Sequence, residues 1–133
     1  MAGETSLALL ISSMRPHLNE GDYVFCTLDH PDAARGIEVL GSFREAEGLT
    51  VIVERGAAQQ AGLAFDYVAA WITLNVHSAL QAVGLTAAFA TALGNAGISC
   101  NVLAAYYHDH IFVSREDADR AMRVLWNLSH NGA

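Results

Sequence analysis

Apolar residues recur at helical spacing in three parts of the chain. Between Glu4 and Met14 they predict a first helix, which Pro16 is expected to end. A second stripe predicts a helix that ends at Gly97, with one face formed by Leu85, Ala88, Phe89, Ala92, Leu93 and Ala96. The last helix is predicted from Ala118, Ala121, Met122, Leu125 and Leu128, with Ser114 as its N-cap and Asp117 completing a capping box.

β-branched and aromatic runs between these stripes predict strands. They are "DYVFCTL" (22–28), "LTVIVE" (49–54), "AAWITLNV" (69–76), "ISCNVLAAYY" (98–107) and "HIFV" (110–113). "GSFREAEGLTVIVER" predicts a hairpin turning near Gly48, and "GAAQQAGL" a short helix closed by Gly62. The order of elements favours an α+β sandwich with helices over an antiparallel sheet.

Two segments repeat one pattern of strand, charged turn and alanine-bearing helix. They are "LTVIVERGAAQQAGL" and "HIFVSREDADRAMRVL". The repetition predicts a duplicated strand-helix module, with an N-terminal unit over 1–66 and a C-terminal unit over 67–133 that together form one compact domain.

Composition narrows the classes of partner. The chain of 133 residues is 53% hydrophobic and 16% charged, has a net charge of −7, and carries seven scattered arginines and no lysine. Without a basic stripe or a long apolar run, neither nucleic acid nor a membrane is predicted as a partner. The start "MAGETSLALL" carries an acidic rather than a basic residue, so we expect a cytoplasmic protein. Cys26 and Cys100 lie inside apolar runs, so we expect reduced thiols. The apolar excess predicts a homodimer.

The loop "NVHSALQAVGLTAA" is the strongest candidate for ligand binding. It joins a predicted strand to a predicted helix, and such a connection presents backbone N–H groups at a positive helix end, where a carboxylate binds well. Gly84 lets the backbone approach a ligand closely, and His77 and Ser78 supply side-chain donors. An ordinary turn that needs a glycine is the alternative interpretation.

Four motifs along the chain together resemble a known family. The tryptophan-led strand, "VHSALQAVGLTAA", the strand entry "GISCN" and "YYHDHIFV" are similar to the small bacterial ACT-domain proteins long described as of unknown function. The N-terminal "GETSLALLISSMRP", "YVF" and "EAEGLTVIVE" extend this resemblance to nearly the whole chain.

The resemblance implies a ferredoxin-like βαββαβ fold in two intertwined ACT-like units, and an amino-acid-binding regulatory role. ACT domains hold their ligand at the loop between the first strand and first helix, which here corresponds to His77 to Thr86, including Gly84 and Leu85. Asn101 is expected to face the same cleft, and Asp109 is a candidate partner for a ligand ammonium. No cofactor is predicted.

The chain departs from a full tandem pattern in two respects. Its first half begins with a helix, so no second equivalent ligand loop is predicted there. No strand follows the final helix, and a strand from the N-terminal half is expected to complete the sheet instead.

"YYHDHIFV" also admits a metal site, because His108 and His110 lie two residues apart and point the same way on a strand. A zinc site needs three or four protein ligands, and only His77 offers a third. A hairpin turn, with Asp109 bonding the turn amides, is the favoured interpretation.

Catalysis is not predicted, because the chain has no GxSxG motif and Ser78 directly follows His77. A structural or interaction protein without a ligand is the remaining alternative.

Overall fold

The structure is a computed structural model that describes residues 6–76 and 83–131. Its helices are α1 (Leu7–Ser13), α2 (Arg55–Gln60), α3 (Leu85–Asn95) and α4 (Ala118–Asn131). Its strands are β1 (Arg15–Leu18), β2 (Tyr23–Leu28), β3 (Gly41–Arg44), β4 (Leu49–Glu54), β5 (Val68–Asn75), β6 (Asn101–Ala104) and β7 (Asp109–Ser114). Short 3-10 turns occupy Pro31–Ala34 and Arg115–Asp117.

The chain forms two compact units. One, here the split unit, combines the described residues up to Asn19 with those from Ala70 onwards; the other, here the inserted unit, is Glu20–Ala69. The N-terminal helix and the strand after it thus pack with the C-terminal half of the chain, whereas the pattern of the sequence grouped them with the N-terminal half.

The split unit has the strand order β1-β5-β7-β6. β1 pairs antiparallel with β5, from Arg15 opposite Asn75 to Leu18 opposite Ile72, and β6 pairs antiparallel with β7. β1 therefore supplies the strand that a βαββαβ fold places after its last helix. The prediction that the N-terminal half completes the sheet is confirmed.

Alternation along β5 separates the two faces of this sheet. Ala70, Ile72 and Leu74 are fully buried, and they share one core with Phe89 of α3. A side chain of this size contributes about 1.5–3 kcal/mol when fully buried. Leu10 of α1 and Leu125 of α4 enter the same core, so the predicted helical stripes are the faces that the helices bury.

The inserted unit has the strand order β3-β4-β2-β5, in which β5 contributes Val68 and Ala69. β2 pairs with β4 along its whole length, and its core is Val24, Cys26, Leu28, Val51, Val53 and Ala58. This unit follows βαββαβ order too, with the first helix reduced to the 3-10 turn Pro31–Ala34. It begins at β2, and the initial helix assigned to this half lies in the other unit.

Two local predictions were wrong. The hairpin turns at Tyr106 and Tyr107, which are exposed, and Asp109 pairs with Ala104 inside the ladder, so it is not the residue that bonds the turn. Ser114 makes no side-chain capping bond, because the 3-10 turn Arg115–Asp117 stands between it and α4.

Candidate functional site

The start of α3 is shaped by a glycine. Gly84 is the N-cap residue and has φ of 104°, a left-handed conformation that residues with a Cβ rarely adopt. A Cβ added to Gly84 would lie 3.0 Å from Cδ2 of Leu7, so α1 packs closely against this turn. Glycine at this position therefore has two structural causes, the backbone angle and the contact with Leu7, and both agree with the alternative interpretation of an ordinary turn that needs a glycine.

The first turn of α3 exposes polar backbone groups. Ala88 donates its N–H to the Gly84 carbonyl at 2.9 Å, which starts the helical ladder. Within the described residues, no side chain caps the N–H groups that precede it. Leu85 is buried in the core and anchors the turn, whereas Thr86 is exposed. The arrangement leaves N–H donors at the positive end of a helix of 11 residues.

The beginning of β7 lies next to the end of β5. The Nδ1 atom of His108 is 3.4 Å from the carbonyl oxygen of Val76. Val76 is the last described residue before the loop that leads to α3. Asp109 alternates with His110, so it shares the face of the core residues Ile111 and Val113. A half-buried carboxyl group thus lies at the start of β7, at the same end of the sheet as the predicted ligand loop.

Burial raises the pKa of Asp109, and the neighbouring His110 and His108 act in the opposite direction. Among the described residues no hydrogen bond or ion pair reaches the Asp109 carboxylate, so its negative charge is poorly compensated. A cation bound there would lower this pKa, since an opposite charge favours the ionised form.

Asn101 opens β6, which lies beyond β7 from β5. It is opposite Phe112, and its Nδ2 atom donates to the Phe112 carbonyl at 3.4 Å. His77 and Ser78, the two side-chain donors predicted for the loop, lie outside the described residues.

The two histidines of "HDH" have different surroundings. His108 contacts Val76, whereas the Nδ1 atom of His110 receives the indole N–H of Trp71 at 3.0 Å and lies 3.1 Å from Thr73 Oγ1. In the part of the chain that the structure describes, no group of three His, Cys, Asp or Glu side chains is arranged to hold a metal ion.

Sequence reasoning missed the cluster that His110 completes. The Nδ2 atom of Asn19 donates to Thr73 Oγ1 at 2.9 Å and lies 3.3 Å from the Trp71 carbonyl, which links the end of β1 to β5. The available signal was the polar Thr73 two residues after Trp71 in an apolar strand, because both side chains then occupy the same face.

Neither thiol has the surroundings of a nucleophile. Burial raises the pKa of Cys100 to about 11 and also raises that of Cys26. Both groups are therefore protonated at neutral pH, and the thiol is much less reactive than the thiolate.

Comparisons with known proteins agree over most of the chain. Models of the ACT domain match residues 2–70 and 67–127. A protein of unknown function from Vibrio cholerae, described as a possible transport protein, is 52% identical with a TM-score of 0.86, over 94% of this chain and 97% of the other. No curated protein matches by sequence.

More distant structures share the fold. A protein from Agobacterium tumefaciens has a TM-score of 0.66 at 18% identity, over 87% of this chain and 89% of the other. The ligand-free regulatory subunit of aspartate kinase from Thermus thermophilus has a TM-score of 0.67 at 14% identity, over 88% of this chain and 97% of the other.

Within the described residues, no helix combines the length and apolar character needed to cross a bilayer.

The comparisons and the fold agree with each other. Two ACT models match in tandem, both units follow βαββαβ order, and a glycine leads into α3. The chain belongs to the ACT-domain family, a family of regulatory, ligand-binding domains, and resembles small members of unknown function.

Proposed function

We propose that this protein is a cytoplasmic sensor or regulatory subunit that binds an amino acid at the start of α3. In this proposal the ligand carboxylate accepts hydrogen bonds from the N–H groups at Gly84, Leu85 and Thr86, with His77 and Ser78 orienting it. Asp109 receives the ligand ammonium, and Asn101 borders the site.

The observation that carries the proposal is the glycine-led N-terminus of α3. Its first N–H groups have no side-chain cap among the described residues, and a helix N-terminus of this kind favours a carboxylate. The left-handed Gly84 and its contact with Leu7 keep a side chain out of this position.

The position of Asp109 supports binding of a zwitterion. His108, its neighbour, contacts Val76 at the end of β5, and the loop to α3 begins there. A carboxylate whose pKa is raised by burial gains more from an ammonium partner than an exposed carboxylate does. The positive N-terminal end of α3 would match the carboxylate of an amino acid, and the half-buried carboxyl group of Asp109 would match its ammonium.

Substitution at Thr86 tests the carboxylate site without disturbing the core, because this side chain is exposed. Thr86→Asp places a competing carboxylate in the first turn of α3, where it should raise helix stability by about 0.3–1 kcal/mol. It should abolish the thermal shift given by a panel of the twenty amino acids, whereas Thr86→Asn, of similar size and neutral, should retain it.

Gly84→Val provides a second variant, with Gly94→Ala in the same helix as its control, because a Cβ at Gly94 meets nothing within 4 Å. Loss of the response in Gly84→Val alone supports the site. If the wild-type protein responds to no amino acid at 100 times any plausible Kd, where a shift of about 2.7 kcal/mol is expected, the ligand-free interaction protein becomes the better explanation.

We also propose a homodimer. β6 is the edge strand of the split unit, and all four of its residues are exposed, including Val102 and Leu103 at 39% each. Exposed apolar edge strands pair readily with another chain. Leu103→Arg should yield a monomer in light scattering while Leu9→Arg, on the exposed face of α1, should not; identical masses for both variants would contradict pairing through β6.

A further inference from the structure

The inserted unit carries a groove of about 380 Å³ that is separate from the start of α3. Its lining is Phe25, Cys26, Thr27, Thr50, Ala64, Phe65 and Asp66. The volume lies within the range of roughly 300–1,000 Å³ that is typical of sites for small molecules.

The groove lies where the pairing between β2 and β5 stops after two residue pairs. β2 pairs with β5 only at Tyr23 opposite Ala69 and Val24 opposite Val68. Residues 64–66, which precede β5, do not continue this pairing, and they form the wall that faces residues 25–27 of β2. On the other side, Thr27 is directly opposite Thr50 in the β2-β4 ladder, so two hydroxyl groups share the floor.

The side-chain polar groups of the groove can all accept hydrogen bonds. Thr50 donates its hydroxyl hydrogen to the Glu45 carboxylate, which leaves the lone pairs of Thr50 Oγ1 as acceptors and brings a second carboxylate close. Asp66 is the charged residue in the lining and is exposed. No arginine lines the groove, although all residues of the inserted unit are described.

The charge of the whole unit has the same sign. Nine acidic residues and three arginines fall between Glu20 and Ala69, a balance of −6 out of the −7 of the whole chain. This field attracts cations to the inserted unit. The chain has no lysine, so no side-chain ammonium of its own can neutralise the groove.

Two aromatic rings complete the recognition surface. Phe25 and Phe65 both line the groove, and the ring of Phe25 lies 6.4 Å from that of Tyr67 at 52°. Aromatic faces bind an apolar stem and also attract a cation through the ring quadrupole. Apolar rings beside acceptor groups and a carboxylate match a primary ammonium on a short apolar skeleton.

We propose that this groove is a second binding site, which takes a small organic cation with a primary ammonium group on an apolar stem. The ammonium is held by Asp66 and the Thr27 and Thr50 hydroxyl oxygens, and the stem packs on Phe25 and Phe65. The site is independent of the amino-acid site proposed at α3.

Three probes with one skeleton separate charge from shape: 2-phenylethylammonium, neutral 2-phenylethanol and anionic phenylacetate. In ¹⁵N-resolved NMR titrations of the full chain, only the ammonium should give saturable shifts at residues 25–27, 50 and 64–66. Its Kd should rise as salt increases from about 50 mM to about 300 mM, because an exposed carboxylate is screened.

Asp66→Asn should raise the Kd of the ammonium about tenfold, the effect of losing one charge-assisted contact. Asp29→Asn, an exposed carboxylate of the same unit outside the lining, should leave it unchanged. Phe65→Leu should weaken binding while preserving a folded spectrum, which separates loss of the ring from loss of the fold.

Equal affinity for the alcohol, shifts confined to other residues, or an unchanged Kd in Asp66→Asn would each overturn the proposal. Thr86→Asp should leave this titration unaffected. A negative result for the groove therefore does not affect the amino-acid proposal at α3, and a negative result at α3 does not affect the groove.

Discussion

Trp71 donates its indole N–H to Nδ1 of His110 at 3.0 Å. Because an indole nitrogen can only donate, Nδ1 must be the acceptor, and the single proton of the neutral ring lies on Nε2. Thr73 Oγ1 lies 3.1 Å from the same Nδ1, and Asn19 donates to that oxygen. Protonation of His110 at Nδ1 would therefore remove the acceptor that Trp71 uses.

His110 should make the stability of the protein depend on pH. Burial lowers the pKa of His110 and His108 lowers it further, while Asp109 acts in the opposite direction. The unfolded chain therefore binds the proton more readily, so the free energy of unfolding should fall as pH drops below about 6.5. Urea unfolding at pH 7.5 and 5.5 measures this loss.

His110→Gln, which retains an acceptor oxygen for Trp71, should flatten the pH dependence, whereas His30→Gln at an exposed position should preserve it. An identical slope in the wild-type protein and His110→Gln would show that His110 does not contribute.

Asp109 should have the opposite effect to His110 on the pH dependence of stability, because it lowers the free energy of unfolding as pH rises. Because burial raises its pKa, the native state holds the proton more tightly, and the free energy of unfolding falls as pH rises through the raised pKa. Asp109→Asn removes the buried charge, so the variant should be more stable than the wild-type protein at pH 7, and the advantage should disappear below the ordinary carboxyl pKa of about 3.9.

Calorimetric unfolding at pH 7 and pH 3 compares these states, with Asp29→Asn as the exposed control. The amino-acid proposal adds a second expectation, that Asp109→Asn loses the response to ligand. Destabilisation at pH 7 would contradict the assignment of Asp109 as an uncompensated charge.

Ser129 of α4 forms hydrogen bonds with Met14 and Arg15, at the start of β1. Its hydroxyl is buried and donates to the Met14 carbonyl at 2.8 Å, and Arg15 donates to the same hydroxyl at 3.2 Å. In Ser129→Ala the Met14 carbonyl keeps the hydrogen bond that Arg15 donates at 3.0 Å, so the free energy of unfolding should fall by the worth of one hydrogen bond, about 0.5–1.5 kcal/mol. The exposed Ser99→Ala should change it by less than about 0.5 kcal/mol. Equal effects in urea unfolding would mean that the Ser129 bond adds nothing.

The hydroxyl group of Tyr67 should lower stability, in contrast to that of Ser129. Its oxygen is buried and has no hydrogen-bond partner in the described part of the chain. An unpaired buried polar group costs about 1–3 kcal/mol, so Tyr67→Phe should raise the free energy of unfolding. Tyr23→Phe removes a hydroxyl that donates to the Glu20 carbonyl and should lower it by up to about 1 kcal/mol. A loss of stability in Tyr67→Phe would reveal a partner for this hydroxyl.

Local pattern was a sufficient guide to most of the elements. β5, β7, α3 and α4 are long and strongly periodic, and each lies where its apolar spacing predicted it. β6 was predicted over ten residues but spans only Asn101–Ala104, because all four of its residues are exposed and provide no alternation that would mark its ends. The proposed site stays a prediction, but the turn before α3 was accessible from sequence, since Gly84 was recognised there as a glycine that permits a turn and its φ is left-handed.

By itself the sequence determined the order of the main strands and helices and the faces that they bury, because these follow from spacing within a few residues. It indicated the family through motifs that resemble those of ACT-domain proteins. Tertiary structure decided that "RPHL" is a strand, since Pro16 disfavours one locally and pairing with β5, whose partner residues lie 54 to 60 positions further along, stabilises it. It also brought Asn19 to Thr73 and opened the groove beside β2, because contacts between distant segments depend on register and packing that local spacing does not encode.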